Sequence, residues 1–169
     1  MQSGQFMTPT ILTRPTCQRQ IQVINLCALC NVLNEGDENG EPSTNHWTIC
    51  LQTSPASSLK IDMAPWDWRR GKILLSSAKD QPYNMDETLH VFPFTVAREI
   101  TVVSVIGAIN EKERDMFWFS DEDEGCRWWV CQLLGDFESP GIVEVGSAAA
   151  AEEYLLRYWI NPKGSYLGT

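Results

Sequence analysis

Between Gln20 and Phe94 the chain returns repeatedly to short β-prone runs: QIQVINL (20–26), HWTICL (46–51), LKIDM (59–63), KILL (72–75) and LHVFPF (89–94). β-Branched and aromatic residues recur in these runs, with Gly, Pro, Ser or Asn between them, the pattern of strands joined by turns. The segment QTSPASS between the second and third runs is a hairpin signal. Pro93 cannot donate to a ladder, so its strand belongs at a sheet edge or end. Residues 34–45 (NEGDENGEPSTN) read as an acidic, solvated loop, and residues 1–18 as a loose lead-in.

The second half changes period. From Val96, apolar residues recur at 96, 100, 103, 106 and 109, the spacing of one helix face. DMFWF (115–119) suits a short strand, and the acidic turn SDEDEG follows it. CRWWVCQLLGDF (126–137) has helical spacing, and Ser147 opens SAAAAEEYLLRYWI as a capped helix. Strands followed by segregated helices predict an α+β fold on an antiparallel β-sheet, with residues 19–169 forming a single domain.

Charge bears on two classes of partner. The chain of 169 residues has a net charge of −9, which argues against nucleic acid and against an anionic membrane surface, both of which call for a concentrated basic face. No basic start followed by an apolar run opens the sequence, and no apolar run approaches ~20 residues. The expected setting is cytoplasmic, with the six cysteines as free thiols.

Only two histidines are present, so histidine-dependent chemistry has few candidates. Cys126 opens a predicted helix, where unpaired N–H groups and the helix dipole favour a thiolate, and an imidazole partner favours it further. The four carboxylates Asp121 to Glu124 oppose that charge, but water and salt screen them severalfold. His46 opens a strand, and a third polar group is needed to orient its ring. In a hairpin turning near Ser54 and Pro55, Asp62 falls within about one residue of His46 across the ladder. The expected catalytic set is Cys126, His46 and Asp62, with Trp47, Trp128 and Trp129 lining a substrate pocket and no metal or organic cofactor.

HWTICL, IDMAP and GCRWWVCQLL together resemble a known group. They look like the permuted papain-like enzymes of the lecithin:retinol acyltransferase and HRAS-like acyltransferase families, relatives of the NlpC-type cysteine peptidases. The family pattern is H-W-x-I-Y on one strand, a second His on the next, and N-C-E-H-F-V opening a late helix. His46 matches the first His, Cys126 matches the nucleophile, and Asp62 stands where the second His would. The resemblance covers about residues 20–137 and implies a circularly permuted papain-like core. Gly125 replaces the Asn before the Cys, and Arg127-Trp128 replaces Glu-His. The end NPKGSYLGT lacks the hydrophobic tail of the membrane-embedded relatives, so the resemblance implies a small-molecule or carrier-bound acyl substrate rather than a phospholipid.

The expected function is cysteine-dependent acyl transfer, as hydrolase or acyltransferase, from an ester, thioester or amide. Two alternatives use the same residues differently: a cyclase or isomerase with His46 and Asp62 as acid and base, or a non-enzymatic binding module anchored by tryptophans. Cys27-x-x-Cys30 has no second pair at zinc spacing and reads as core or strand-end thiols, while Cys50 and Cys131 are assigned to packing. His90 is the fallback base, exposed at a strand start. Trp68-Arg69-Arg70-Gly71-Lys72 is the one basic cluster, either a solvated turn or a holder of substrate phosphate or carboxylate.

Overall fold

The computed structural model describes residues 12–31, 44–119 and 125–167. In chain order the elements are α1 (Arg14–Cys17), β1 (Val23–Leu29), β2 (His46–Ser54), β3 (Ser57–Pro65), β4 (Arg70–Lys79), β5 (Thr88–Thr95), α2 (Val102–Glu111), β6 (Met116–Trp118), α3 (Cys126–Glu138), α4 (Ser147–Leu155), β7 (Tyr158–Ile160) and β8 (Ser165–Leu167). The fold is α+β. Six strands form one antiparallel sheet in the order β5-β1-β2-β3-β4-β6, and β7 and β8 make a separate hairpin. β5 is an edge strand and carries Pro93, where its missing N–H costs no ladder bond.

Period-2 patterning builds the core. Ile24, Leu26 and Ala28 of β1, Trp47, Ile49 and Leu51 of β2, and Leu59, Ile61 and Met63 of β3 are all buried within one cluster. Trp129, Val130, Leu133, Leu134 and Phe137 of α3 join them. α3 packs against β2 and β3 as well as α4. Full burial of each such side chain contributes about 1.5–3 kcal/mol, which fixes the helix on the strands it covers. The alternate residues of the central strands are buried too, but they are polar or thiol-bearing: Asn25, Cys27, Thr48, Cys50 and Ser58.

Three boundaries differ from the sequence reading. α2 begins at Val102, not Val96: the Thr101 N–H bonds to Ser104 Oγ at 3.4 Å to start the helix, while Val96 bridges to Val143. The buried face is therefore Val102, Val105, Ile106 and Ile109, and Val103 points to solvent. Ser147 is not the cap of α4. Its Oγ donates to the Glu144 carbonyl at 2.7 Å, Gly146 at φ 96° takes the N-cap position, and Glu138 Oε1 accepts from the Ala148 N–H at 2.8 Å. A carboxylate at the end of α3 thus serves the positive end of α4. Finally, α4 stops at Leu155, and YWI returns as β7 rather than continuing the helix. Within the expected lead-in, residues 14–17 form a helical turn capped by Thr13.

Asn45, counted in the sequence as the end of a solvated loop, is buried at 3% exposure. Its Nδ2 donates to the carbonyls of Leu29 (3.2 Å) and Trp159 (2.9 Å), and its Oδ1 accepts from the Trp159 N–H at 2.7 Å. One side chain therefore joins the end of β1, the start of β2 and β7. The rest of that loop lies outside the described residues, as does the acidic turn before α3.

Replacing Asn45 by Ala strands buried donors and acceptors, each costing about 1–3 kcal/mol. Urea unfolding of Asn45→Ala is expected to show a loss of about 2–4 kcal/mol, with faster amide exchange at Trp159. A loss below about 0.5 kcal/mol would show that the bracket contributes nothing.

Candidate active site

The β2–β3 ladder ends at the pair Ile49–Ile61, so residues 46–48 have β1 on one side and no strand on the other. The N-terminal end of α3 meets them there. The Trp47 N–H donates to Cys126 Sγ at 3.4 Å, and the same sulfur lies 4.0 Å from the Asn45 carbonyl. Gly125 stands at the N-cap of α3 and supplies no side-chain hydrogen bond, and the first turn carries no acidic residue. Among the described residues no side chain caps the first N–H groups of α3, and the positive end of the helix lies at Cys126, where it favours an anion.

His46 opens β2, and Asp62 sits near the end of β3. Continuing the register places them as a diagonal pair, two positions apart across the hairpin. His46 Nε2 and Asp62 Oδ1 are 2.7 Å apart, with the side chains 31% and 17% exposed. The second carboxylate oxygen, Asp62 Oδ2, receives Lys60 Nζ at 3.2 Å. With Nε2 engaged by Asp62, Nδ1 is the ring nitrogen left for Cys126.

The electrostatics follow from these contacts. The hydrogen bond to Asp62, then the hydrogen bond to Cys126, push the His46 imidazolium up from 6.5 to about 10, against the desolvation that favours the neutral ring. Burial works against the Asp62 carboxylate. The His46 hydrogen bond and charge outweigh it, with help from Lys60, and Asp62 lies below the usual carboxylate range. His46 is thus a cation at neutral pH, clamped between a carboxylate and a sulfur. Because its folded value is raised, its contribution to stability is complete below about 6.5 and is lost as pH climbs through about 10.

The other sequence candidates fall elsewhere. Trp47 and Trp129 are buried at 1% and 0% exposure. Trp47 packs near Phe92, and Trp129 Nε1 donates to the Arg114 carbonyl at 3.1 Å, so both hold the core instead of lining an open pocket. Trp128 is 45% exposed, beside Cys126 in the first turn of α3. His90 is not an exposed strand start. Its ring stacks on Trp159 at 4.1 Å and meets Phe92 edge-on, β1 lies between its strand and β2, and desolvation lowers its pKa. Cys27 and Cys50 are buried, and the hydrogen bond with the neighbouring Cys50, then desolvation, raises the Cys27 thiol. Asn45 and Lys60 are the site residues that sequence reasoning missed; Lys60 had a signal, since i and i+2 on a strand share a face. Among the described residues no three His, Cys, Asp or Glu side chains gather as a metal site requires, and no helix is long and apolar enough to cross a membrane.

The two histidines make the electrostatic account directly measurable. In a histidine Cε1–H NMR titration, His46 is expected to remain imidazolium at pH 8 and titrate near 10, while His90 titrates below 6.5. Asp62→Asn is expected to bring the His46 midpoint down. Two neutral rings at pH 8 would contradict the arrangement.

No curated protein and no solved structure matches the chain. Residues 24–167, which include His46, Asp62 and Cys126, match a family described as a domain of unknown function, DUF7770, and the chain belongs to that family.

Proposed function

We propose that the protein is a cysteine-dependent acyl-transfer enzyme, acting on an ester, thioester or amide carbonyl through Cys126, His46 and Asp62. One observation carries the reading: a sulfur in the first turn of a helix shares its histidine with a carboxylate 2.7 Å from the far ring nitrogen. Nucleophile, proton carrier and orienting group are then in the order that thiol catalysis needs. Desolvating an aspartate and a histidine costs stability, and perturbed groups of this kind cluster at functional sites.

The chemistry runs in two halves. With the Cys126 proton held on His46, Cys126 Sγ attacks the carbonyl carbon as a thiolate, and the new S–C bond turns the carbonyl oxygen into an oxyanion beside the Cys126 N–H. The His46 imidazolium then gives its Nδ1 proton to the leaving group as that bond breaks, leaving an acyl-enzyme. Water or a second nucleophile next attacks the acyl carbon. It loses its proton to the now neutral His46, and the S–C bond breaks to release the acyl group. Asp62 holds the ring orientation throughout and balances its positive charge.

The chain order, with His46 and Asp62 on neighbouring strands ahead of the Cys126 helix, fits a circularly permuted papain-like core, and that assignment is part of the same proposal. The acyl donor in this proposal is a small-molecule or carrier-bound acyl group.

Incubation with p-nitrophenyl acetate, followed by intact and peptide mass spectrometry, tests the reading. One acetyl group is expected on Cys126, absent in Cys126→Ala. His46→Ala is expected to slow acylation by roughly 10²–10⁴, and Asp62→Asn by a smaller factor. Acylation that persists in Cys126→Ala, or that ignores His46, would overturn the proposal.

A further inference from the structure

The seven tryptophans divide into two groups. Trp47, Trp129 and Trp159 are buried, whereas Trp66, Trp68, Trp118 and Trp128 are 47%, 79%, 64% and 45% exposed. All four exposed rings lie at one end of the sheet, where β2 begins, β3 ends and α3 begins. Trp66 and Trp68 occupy the β3–β4 turn, Trp118 pairs with Arg70 at the end of β6, and Trp128 follows Cys126. This is the end that holds Cys126, His46 and Asp62.

Three of these rings carry a cation. The Arg69 guanidinium lies 4.4 Å over Trp68, Arg70 lies 5.4 Å over Trp118, and Lys72 Nζ lies 3.7 Å over Trp66. Asp67 shapes the turn that presents them: its Oδ1 accepts from the backbone N–H groups of Arg69 (2.9 Å) and Arg70 (2.8 Å), and its Oδ2 accepts from Arg70 Nε at 2.6 Å. In a chain of net charge −9, this turn concentrates three cations against one carboxylate. Flat rings offer stacking faces to a nucleobase, and guanidinium and ammonium groups bind phosphate. Each ring alternates with a charge, which suits a ligand that is itself aromatic and anionic better than an aliphatic surface. Along an extended strand, Trp66 lies ~13 Å beyond Asp62, the reach of a linear arm.

We infer that this turn binds the phosphorylated, nucleotide-bearing end of a thioester acyl donor, whose acyl carbon is thereby delivered to Cys126; this rests on the acyl-transfer reading. In the transfer, the Cys126 S–C bond forms and the donor's own S–C bond breaks. The departing thiol takes its proton from His46, and no oxidant or reductant is consumed.

Binding is measured separately from chemistry so that the two readings fail separately. Calorimetric titration of the full chain with coenzyme A and with pantetheine, which lacks the phosphates and the base, reads the turn alone. Coenzyme A is expected to bind at least about tenfold more tightly, and raising the salt is expected to weaken it severalfold. The combined variant Trp68→Ala, Lys72→Gln is expected to erase the preference. Acetyl-coenzyme A is expected to acylate Cys126 with a higher kcat/KM than acetyl-pantetheine. Equal binding of the two thiols, or a preference untouched by the double variant, would overturn the inference. So would a turn that instead carries the chain onto phosphatidylserine vesicles. Tight, salt-sensitive coenzyme A binding with no acyl transfer would uphold the nucleotide site and sink the catalytic reading instead.

Discussion

The junction between the start of β2 and the start of α3 is the constraint on which the site depends. The strand is held on one side by its ladder to β1, and Asn45 ties its entry to Leu29 and Trp159. The helix is held by Trp129, Leu133, Leu134 and Phe137, buried in the same cluster as Trp47, Ile49 and Leu51. Between these anchored elements the β2–β3 ladder stops, and the Trp47 N–H turns to a sulfur instead of a carbonyl. Packing far from the sulfur thus sets the position of Cys126 to within a hydrogen bond.

The charges at that junction are poorly explained as a stabilising device. His46 and Asp62 are partly buried, and desolvation opposes the charged form of each. A pair of this kind often breaks even, at best, against an apolar alternative. Its organisation makes sense as chemistry. Asp62 divides its oxygens between Lys60 and His46, and His46 divides its nitrogens between Asp62 and Cys126, so each group has one remaining way to turn. Gly125 at the N-cap completes the arrangement by supplying no side-chain acceptor for the first N–H groups of α3, in contrast to the carboxylate that caps α4.

Much of this was legible in the chain. Local signals decide local outcomes: β-branched periodicity places the strands, Pro93 marks an edge, and the hairpin length brings His46 and Asp62 onto neighbouring strands two positions apart. Trp47 and Trp129 were misread although their signal was present. Period 2 sends Trp47 to the face opposite His46, and Trp129, three residues after Cys126, turns inward with Leu133. Asn45 could not be read this way. A polar residue in an acidic Gly-rich stretch looks the same whether it is solvated or buried, and its partners Leu29 and Trp159 lie 16 and 114 residues away. The start of α2 was missed because its apolar positions fit two helical phases, and the Thr101–Ser104 contact selects one.

The most direct test of the central claim, that Cys126, His46 and Asp62 act as one unit, is the rate at which iodoacetamide alkylates Cys126 at pH 7. It should be followed peptide by peptide in the wild type, His46→Ala and Asp62→Asn. The account predicts that Cys126 is alkylated faster than the exposed Cys30, and that His46→Ala, and to a smaller extent Asp62→Asn, slow it. A Cys126 that reacts no faster than Cys30, and that does not respond to either substitution, would contradict it.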